Sequence, residues 1–270
     1  MKTRMPKILF TFFLCAAFCG SNAIGFSFAK QLVIPPEIIV SEKYLDDDYF
    51  DDEYEDEASF VPHDDTFRAW NTFWHNINDY ALIRVLKPVH SKYSGITTPE
   101  IRTGFKAFRE NIKTPKRMLN AFLQGDVNQF FIEIGRFIVN TTTSLGFADV
   151  ADVNNKPLSP YTPENLRFGY TLAKWGFPEG AYFVIPFYGP STIRETVGTG
   201  VDAFSNAFDY LIEWYIFTPT ELFLAFNGLD DFIPPYEAIT SHAIDPYVAL
   251  RNAYMETLYL SKPIVSKPKK

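Results

Sequence analysis

Through most of this chain apolar residues recur at three- and four-residue steps while prolines and glycines break the pattern at short intervals, which confines the backbone to a string of short amphipathic helices. Thr66 to Leu86 reads as a helix with Phe67, Trp70, Phe73 or Trp74, Ile77 and Ala81 on one strongly aromatic side, and Lys87-Pro88 is expected to stop it. Thr97-Thr98-Pro99-Glu100 carries the marks of a new start, with a hydroxyl cap, a proline in the first turn and an early acid ahead of Phe105 and Phe108. Thr114-Pro115 repeats that signal before Met118, Leu119 and Phe122, and Gly125 closes the helix. From Asp126 to Leu145, Phe130, Phe131, Ile134, Phe137, Ile138 and Thr141 run along a further helix that also contains Glu133 and Arg136. Those charges argue against an isolated span exposed to lipid.

Gly146 to Pro163, with three prolines and Asn154-Asn155, reads as a long loop or helical hairpin turn. Residues 164 to 174 read as helix. Residues 175 to 192 are irregular and rich in Gly and Pro, and Ala181 to Phe187 is their only strand-like run. Pro190 to Phe217 resumes helix, capped by Ser191 or Gly189, with Asp202, Asp209 and Glu213 interrupting any reading as a simple span. Pro219 to Leu229 and Ile239 to Leu260 complete an all-α set with no internal repeat.

Lys2, Arg4 and Lys7 precede an apolar run from Ile8 to Phe18 and then small residues, the layout of a secretory signal peptide. Ser21-Asn22-Ala23 and Ser27-Phe28-Ala29 both fit its cleavage rule; as an uncleaved anchor the run is short against the ~20 apolar residues that a span needs. The chain thus divides into a signal peptide (1–29), an acidic disordered tether (30–65), a helical domain (66–261) and a basic flexible tail (262–270). Both cysteines, Cys15 and Cys19, fall in the leader, so no redox chemistry or cysteine metal site is expected. Residues 42 to 65 hold 12 of the 32 acidic residues and a single base, Lys43; the remainder has 24 bases and 20 acids, which offers no basic face for nucleic acid. A calcium loop is the sharper reading of the acidic tract, but its turn glycine and spaced ligands are absent.

His63, His75, His90 and His242 lie far apart in sequence, without metal-ligand spacing, and are expected at the surface. There is no nucleophile elbow, P-loop or dinucleotide fingerprint. With 27 Phe and 15 Tyr, the helices can pack inward around a Phe-rich core, or lie in a membrane with charged faces lining a polar path.

Several stretches, in order, carry a family likeness from about Phe67 to Tyr259: Phe67-Arg68-Ala69-Trp70-Asn71, Lys87-Pro88-Val89, Asn111-Ile112-Lys113-Thr114-Pro115 and Asn120-Ala121-Phe122-Leu123-Gln124-Gly125. Arg136-Phe137-Ile138-Val139-Asn140-Thr141, Leu145-Gly146-Phe147-Ala148-Asp149-Val150-Ala151 and Phe168-Gly169-Tyr170-Thr171-Leu172-Ala173 with Trp175-Gly176 follow. Pro186-Phe187-Tyr188-Gly189-Pro190-Ser191-Thr192-Ile193-Arg194 and Asp245-Pro246-Tyr247, with Arg251 and Ala253-Tyr254, complete the series. Together they resemble the MlaA/VacJ family of outer-membrane phospholipid-transport lipoproteins.

The resemblance implies a single ring-like bundle of amphipathic helices at the periplasmic face of a Gram-negative outer membrane, around an amphipathic passage. It implies removal of mislocalised phospholipids from the outer leaflet and their transfer to a periplasmic lipid-carrier protein, in association with a trimeric porin, without enzymatic activity or a cofactor. A hinge or gate is placed at Leu145, Gly146, Phe147 and Asp149, with a static turn as the alternative. Arg136, Lys174 and Arg194 are candidates for the passage wall, where a cation in an apolar setting can meet a phosphate; ordinary ion pairing is the alternative. Family members usually carry a lipidated cysteine, for which Cys19 is the candidate, although Phe18 stands where such signals place a small residue. The rival readings are a secreted helical interaction protein and a lipid hydrolase, the latter without a recognisable nucleophile–base arrangement.

Overall fold

Helix α1 (Arg68–Tyr80) runs directly into a π-helical turn (Ala81–Leu86) and on into α2 (Lys87–Ile96), so Lys87-Pro88 does not stop the helix as the sequence suggests. The wide turn supplies the reason. The Lys87 N–H bonds the Leu82 carbonyl, five residues back, and that shift of register moves the backbone away from the clash a proline ring makes with the carbonyl four residues before it. These features come from a computed structural model, which describes residues 65–151, 165–205 and 211–260. The expected leader, Cys19, the tether up to residue 64, most of the loop ending at Pro163 and the basic tail lie outside the described residues.

Helix α3 (Pro99–Ile112) starts behind Thr98, whose hydroxyl accepts the Ile101 N–H, and α4 (Thr114–Leu123) ends just before Gly125, which takes a φ of 70°. Helix α5 (Val127–Ser144) is capped by Asp126, which accepts the Gln129 N–H at 3.0 Å, and ends at Leu145. After α6 (Phe168–Lys174) come two antiparallel strands, β1 (Tyr182–Ile185) and β2 (Gly189–Thr192), with Tyr182 opposite Thr192 and Ile185 opposite Gly189.

The hairpin corrects the expectation that Pro190 opens a helix running to Phe217. Gly189–Thr192 pairs with β1 instead, and α7 (Ile193–Phe204) begins behind Thr192, whose hydroxyl accepts the Glu195 N–H at 3.3 Å. Ser191 is therefore not the cap; it is buried in β2, bonded to Thr196. Glu213 is extended ahead of a separate helix, α8 (Trp214–Asn227). Helix α9 (Leu229–Thr240) contains Pro234-Pro235, which explains why no helix is legible there, and α10 (Pro246–Leu260) begins later than expected.

The main apolar core joins Tyr182, Val184 and Tyr188 of the hairpin to Ile233 and Tyr236 of α9 and Leu250, Tyr254 and Leu258 of α10. A smaller one gathers Ile112, Phe217 and Leu224. Around them the helices are turned inside out. Helix α5 buries Gln129, Glu133, Arg136 and Asn140 while Phe131 is 63% exposed; α4 buries Arg117 and Asn120 while Phe122 is 69% exposed. Helix α7 buries Arg194, Glu195 and Asp202 and exposes Val197 and Phe204. In water this would invert the usual economy of burial, since charged groups are the last to be buried and large apolar side chains the first. No described helix is long and apolar enough to cross a membrane.

Candidate functional site

The hairpin is held against α1 by two asparagines spaced seven residues apart, which puts both on one face of the helix. Asn71 accepts the Val184 N–H at 2.8 Å and donates to the Tyr182 carbonyl at 3.2 Å. Asn78 accepts the Phe187 N–H at 2.7 Å and donates to the Ile185 carbonyl at 3.1 Å, and Trp70 Nε1 donates to the Val184 carbonyl. The open edge of β1 thus finds its partners in side chains rather than in another strand. Asp65, the last residue of the expected tether, is also fixed: it accepts from Asn71, from Tyr247 and from Arg251 at 3.2 Å, joining α1 to α10.

Between this frame and the C-terminal helices lies a cavity of about 480 Å³. Ala81, Leu82, Val85 and Leu86 of the π-helical turn form one wall, Tyr182, Val184, Phe187 and Tyr188 of the hairpin another. Leu222, Ala225 and Phe226 of α8, with Leu229, Phe232 and Tyr236 of α9, close the remaining side. Val85, Leu86 and Phe187 are exposed, whereas Tyr182, Val184 and Leu250 are buried, so the cavity opens at an apolar mouth and ends in the core. A single residue of permanent charge faces it: Arg109 of α3, 2% exposed. Burial lowers the pKa of its guanidinium, against the opposing influence of Glu110 and Glu221.

Part of the polar interior nearby is held in ion pairs. Glu133, with no exposed surface, accepts Arg117 Nε at 3.1 Å, and Arg117 also reaches Glu110 at 3.0 Å. Burial, reinforced by the Arg109 charge, pushes Lys113 down to about 7 beside Glu110. His75 and His90, expected at the surface, are buried instead: His75 lies edge-on to Tyr247 and His90 edge-on to Phe226. Desolvation lowers the pKa of both, which favours the neutral rings. His242 is exposed, and His63 lies outside the described residues.

The cavity is lined without Arg136, Lys174 or Arg194. Arg136 is buried and bonds Asp149; Lys174 is exposed at the end of α6; Arg194 donates to the Phe177 carbonyl at 3.3 Å and to Glu195 at 3.4 Å. Arg109 was not singled out by the sequence because it follows Arg102 and Lys106 at helical spacing, and only its full burial sets it apart from those half-buried bases.

The four residues of the expected hinge form one fastened segment. Leu145 holds a left-handed φ of 55°, and Gly146 follows at 85°, where a β-carbon would stand 2.6 Å from Asn111 Nδ2. Phe147 stacks on Phe108 with ring centroids 4.5 Å apart. Asp149 accepts from Arg136 and from Asn140 Nδ2 at 3.0 Å, while Asn140 Oδ1 accepts the Ala151 N–H at 3.0 Å. The same helix, α3, therefore carries this segment on Phe108 and Asn111 and presents Arg109 to the cavity.

The family model described as MlaA lipoprotein matches residues 63–259. The intermembrane phospholipid transport system lipoprotein MlaA of Escherichia coli (strain K12) is 29% identical over 196 residues, which are 71% of this chain and 76% of that protein. The Haemophilus influenzae protein of the same name is 27% identical over 194 residues, covering 70% and 73%, and an uncharacterised protein of Rickettsia felis is 29% identical over 185 residues, covering 67% and 69%. A solved chain from work on the structural basis for maintenance of bacterial outer membrane lipid asymmetry superposes with a TM-score of 0.56 at 29% identity, covering 71% of this chain and 96% of that one.

Proposed function

Because the chain belongs to the MlaA lipoprotein family, we propose that it carries out intermembrane phospholipid transport, clearing phospholipid from the outer leaflet of a Gram-negative outer membrane and passing it to a periplasmic carrier. The observation that carries this reading to the level of residues is the apolar cavity, whose mouth at Val85, Leu86 and Phe187 continues the apolar exterior and so lets an acyl chain pass from lipid into the protein without crossing water. The inverted burial of α4, α5 and α7 supports a seat within one leaflet at the periplasmic face, with side chains such as Phe122 and Phe131 in the acyl region and paired charges inside.

In this reading Arg136 and Asp149 latch the segment Leu145–Ala151 as a gate, Lys174 and Arg194 contribute cations to the polar wall of the path, and Cys19 is the acylated anchor if the leader is processed as in lipoproteins. A trimeric porin and the periplasmic carrier are its protein partners, no residue acts as a catalyst and no cofactor is needed. The test is outer-leaflet phospholipid in cells with and without the gene. Accumulation on deletion, with no hydrolysis products, is the expected result; an unchanged surface with a salt-extractable protein would favour a secreted interaction protein, and released lysophospholipid would favour a hydrolase.

A further inference from the structure

Two uncommon backbone conformations border the mouth of the cavity. On one wall Val85 and Leu86 end the π-helical turn, a rare form that is frequent at functional sites. On the other, Ile185, Pro186, Phe187 and Tyr188 make the tight turn of the hairpin, closed by the Tyr188 N–H on the Ile185 carbonyl at 3.2 Å. Proline fixes a negative φ at the second position of that turn, and Phe187 takes a φ of 56° at the third, the combination that defines a type II turn. The third position calls for glycine or asparagine, because a β-carbon at positive φ crowds the backbone and a bulky side chain makes the conformation an outlier. Here it holds a phenylalanine that is 47% exposed.

The turn is fastened without the ring. The Phe187 N–H goes to Asn78 Oδ1 at 2.7 Å, and Tyr188 is buried with its hydroxyl paired to Thr199 at 3.2 Å. The ring lies edge-on to Trp74 with centroids 5.7 Å apart, and Trp74 keeps Trp70 and Phe73 at similar distances without it. A glycine would therefore keep the turn and relieve the strain. Strain that the surroundings hold in place beside a cavity points to a use for the side chain that glycine lacks. We propose that Phe187 is the residue that admits lipid to the cavity, its side chain meeting the acyl chain as the chain passes from the apolar exterior between the π-helical turn and the hairpin. This inference rests on the reading of the cavity as part of the phospholipid path. An apolar side chain here extends the rim of Val85 and Leu86 to the hairpin, whereas glycine would bare the polar backbone of the turn to the entering chain.

The experiment compares Phe187→Leu, Phe187→Ala and Phe187→Gly in the full chain. Stability is read by thermal unfolding in non-ionic detergent, and transport by outer-leaflet phospholipid in a deletion strain complemented at matched abundance in the outer membrane. Alanine and glycine both lack the ring and differ in their tolerance of positive φ, so Phe187→Gly should unfold at a higher temperature than Phe187→Ala. Transport should follow the side chain instead. Phe187→Leu should restore a phospholipid-poor surface, whereas Phe187→Ala and Phe187→Gly should both leave phospholipid accumulated as in the deletion. A role in packing alone would make transport follow stability. Clearance by Phe187→Gly would overturn the assignment, and so would accumulation with Phe187→Leu. Earlier unfolding of Phe187→Gly than of Phe187→Ala would overturn it as well, because the turn would then carry no strain. Failure of the unmodified chain to clear the surface would instead remove the phospholipid-transport reading itself.

Discussion

At Asp149 a partly exposed carboxylate meets the buried guanidinium of Arg136 and the amide of Asn140, and the same asparagine holds the Ala151 N–H. Asp149→Asn removes the charge but leaves an amide of the same shape. With one partner open to solvent, the loss should be about 1 kcal/mol, seen as about fivefold faster hydrogen exchange at Ala151 without a change in global unfolding. The two buried histidines set a pH dependence of known sign. Their folded pKa values lie below the ordinary 6.5, so the unfolded chain takes up protons first on acidification. The stability they contribute is complete above pH 6.5 and is lost as the pH falls through the lowered folded values. Thermal unfolding in detergent should therefore shift downward between pH 7.5 and 5, and His75→Asn combined with His90→Asn should flatten that slope. His75 and His90 also mark what single residues conceal in sequence: neither stands at metal-ligand spacing or in a motif, and only the packing of Tyr247 and Phe226 over them reveals that they are interior.

At the scale of elements, caps and punctuation were legible wherever the local chemistry acts alone. Thr98 and Asp126 start helices and Gly125 ends one, as their side chains or backbone freedom require. Prolines misled where the surroundings absorb them, as at Pro88 behind the π-helical turn and at Pro234-Pro235 inside α9. The hairpin was only half legible, because the edge of β1 is satisfied by Asn71 and Asn78 from more than a hundred residues away, a pairing that no local pattern encodes. Helices α6 and α7 cross with their backbones in contact: a β-carbon on Gly198 would stand 2.3 Å from the Gly169 backbone nitrogen. Backbone cannot yield as a side chain tip can, so Gly198→Val should destabilise by at least the ~1–3 kcal/mol typical of overpacking, and chemical denaturation of the purified protein would show it as an earlier midpoint.

At the scale of the whole molecule, the alternation of Phe and Trp with isolated charges left open whether the aromatic faces turn inward or outward. The structure turns Phe122, Phe131 and Phe204 of α4, α5 and α7 outward, whereas Tyr182 and Tyr188 of the hairpin turn inward against the cavity and Phe217 of α8 turns into the smaller core. The candidate site was correspondingly less legible than the fold. Its residues come from α1, the π-helical turn, α3, the hairpin, α8, α9 and α10, and its one charged member, Arg109, is distinguished from its neighbours by position and not by type. The segment from Leu145 to Asp149 was recognisable as a place for a turn, but its fastening to Arg136, Asn140, Asn111 and Phe108 depends on tertiary contacts.

The central claim is that phospholipid is handled through this apolar cavity. The most direct measurement is the outer-leaflet phospholipid of a deletion strain complemented with either the unmodified chain or Ala225→Trp, at matched abundance in the outer membrane. The unmodified chain should restore a phospholipid-poor surface, and the filled cavity should leave phospholipid accumulated there as in the deletion. Full restoration by Ala225→Trp would contradict the account.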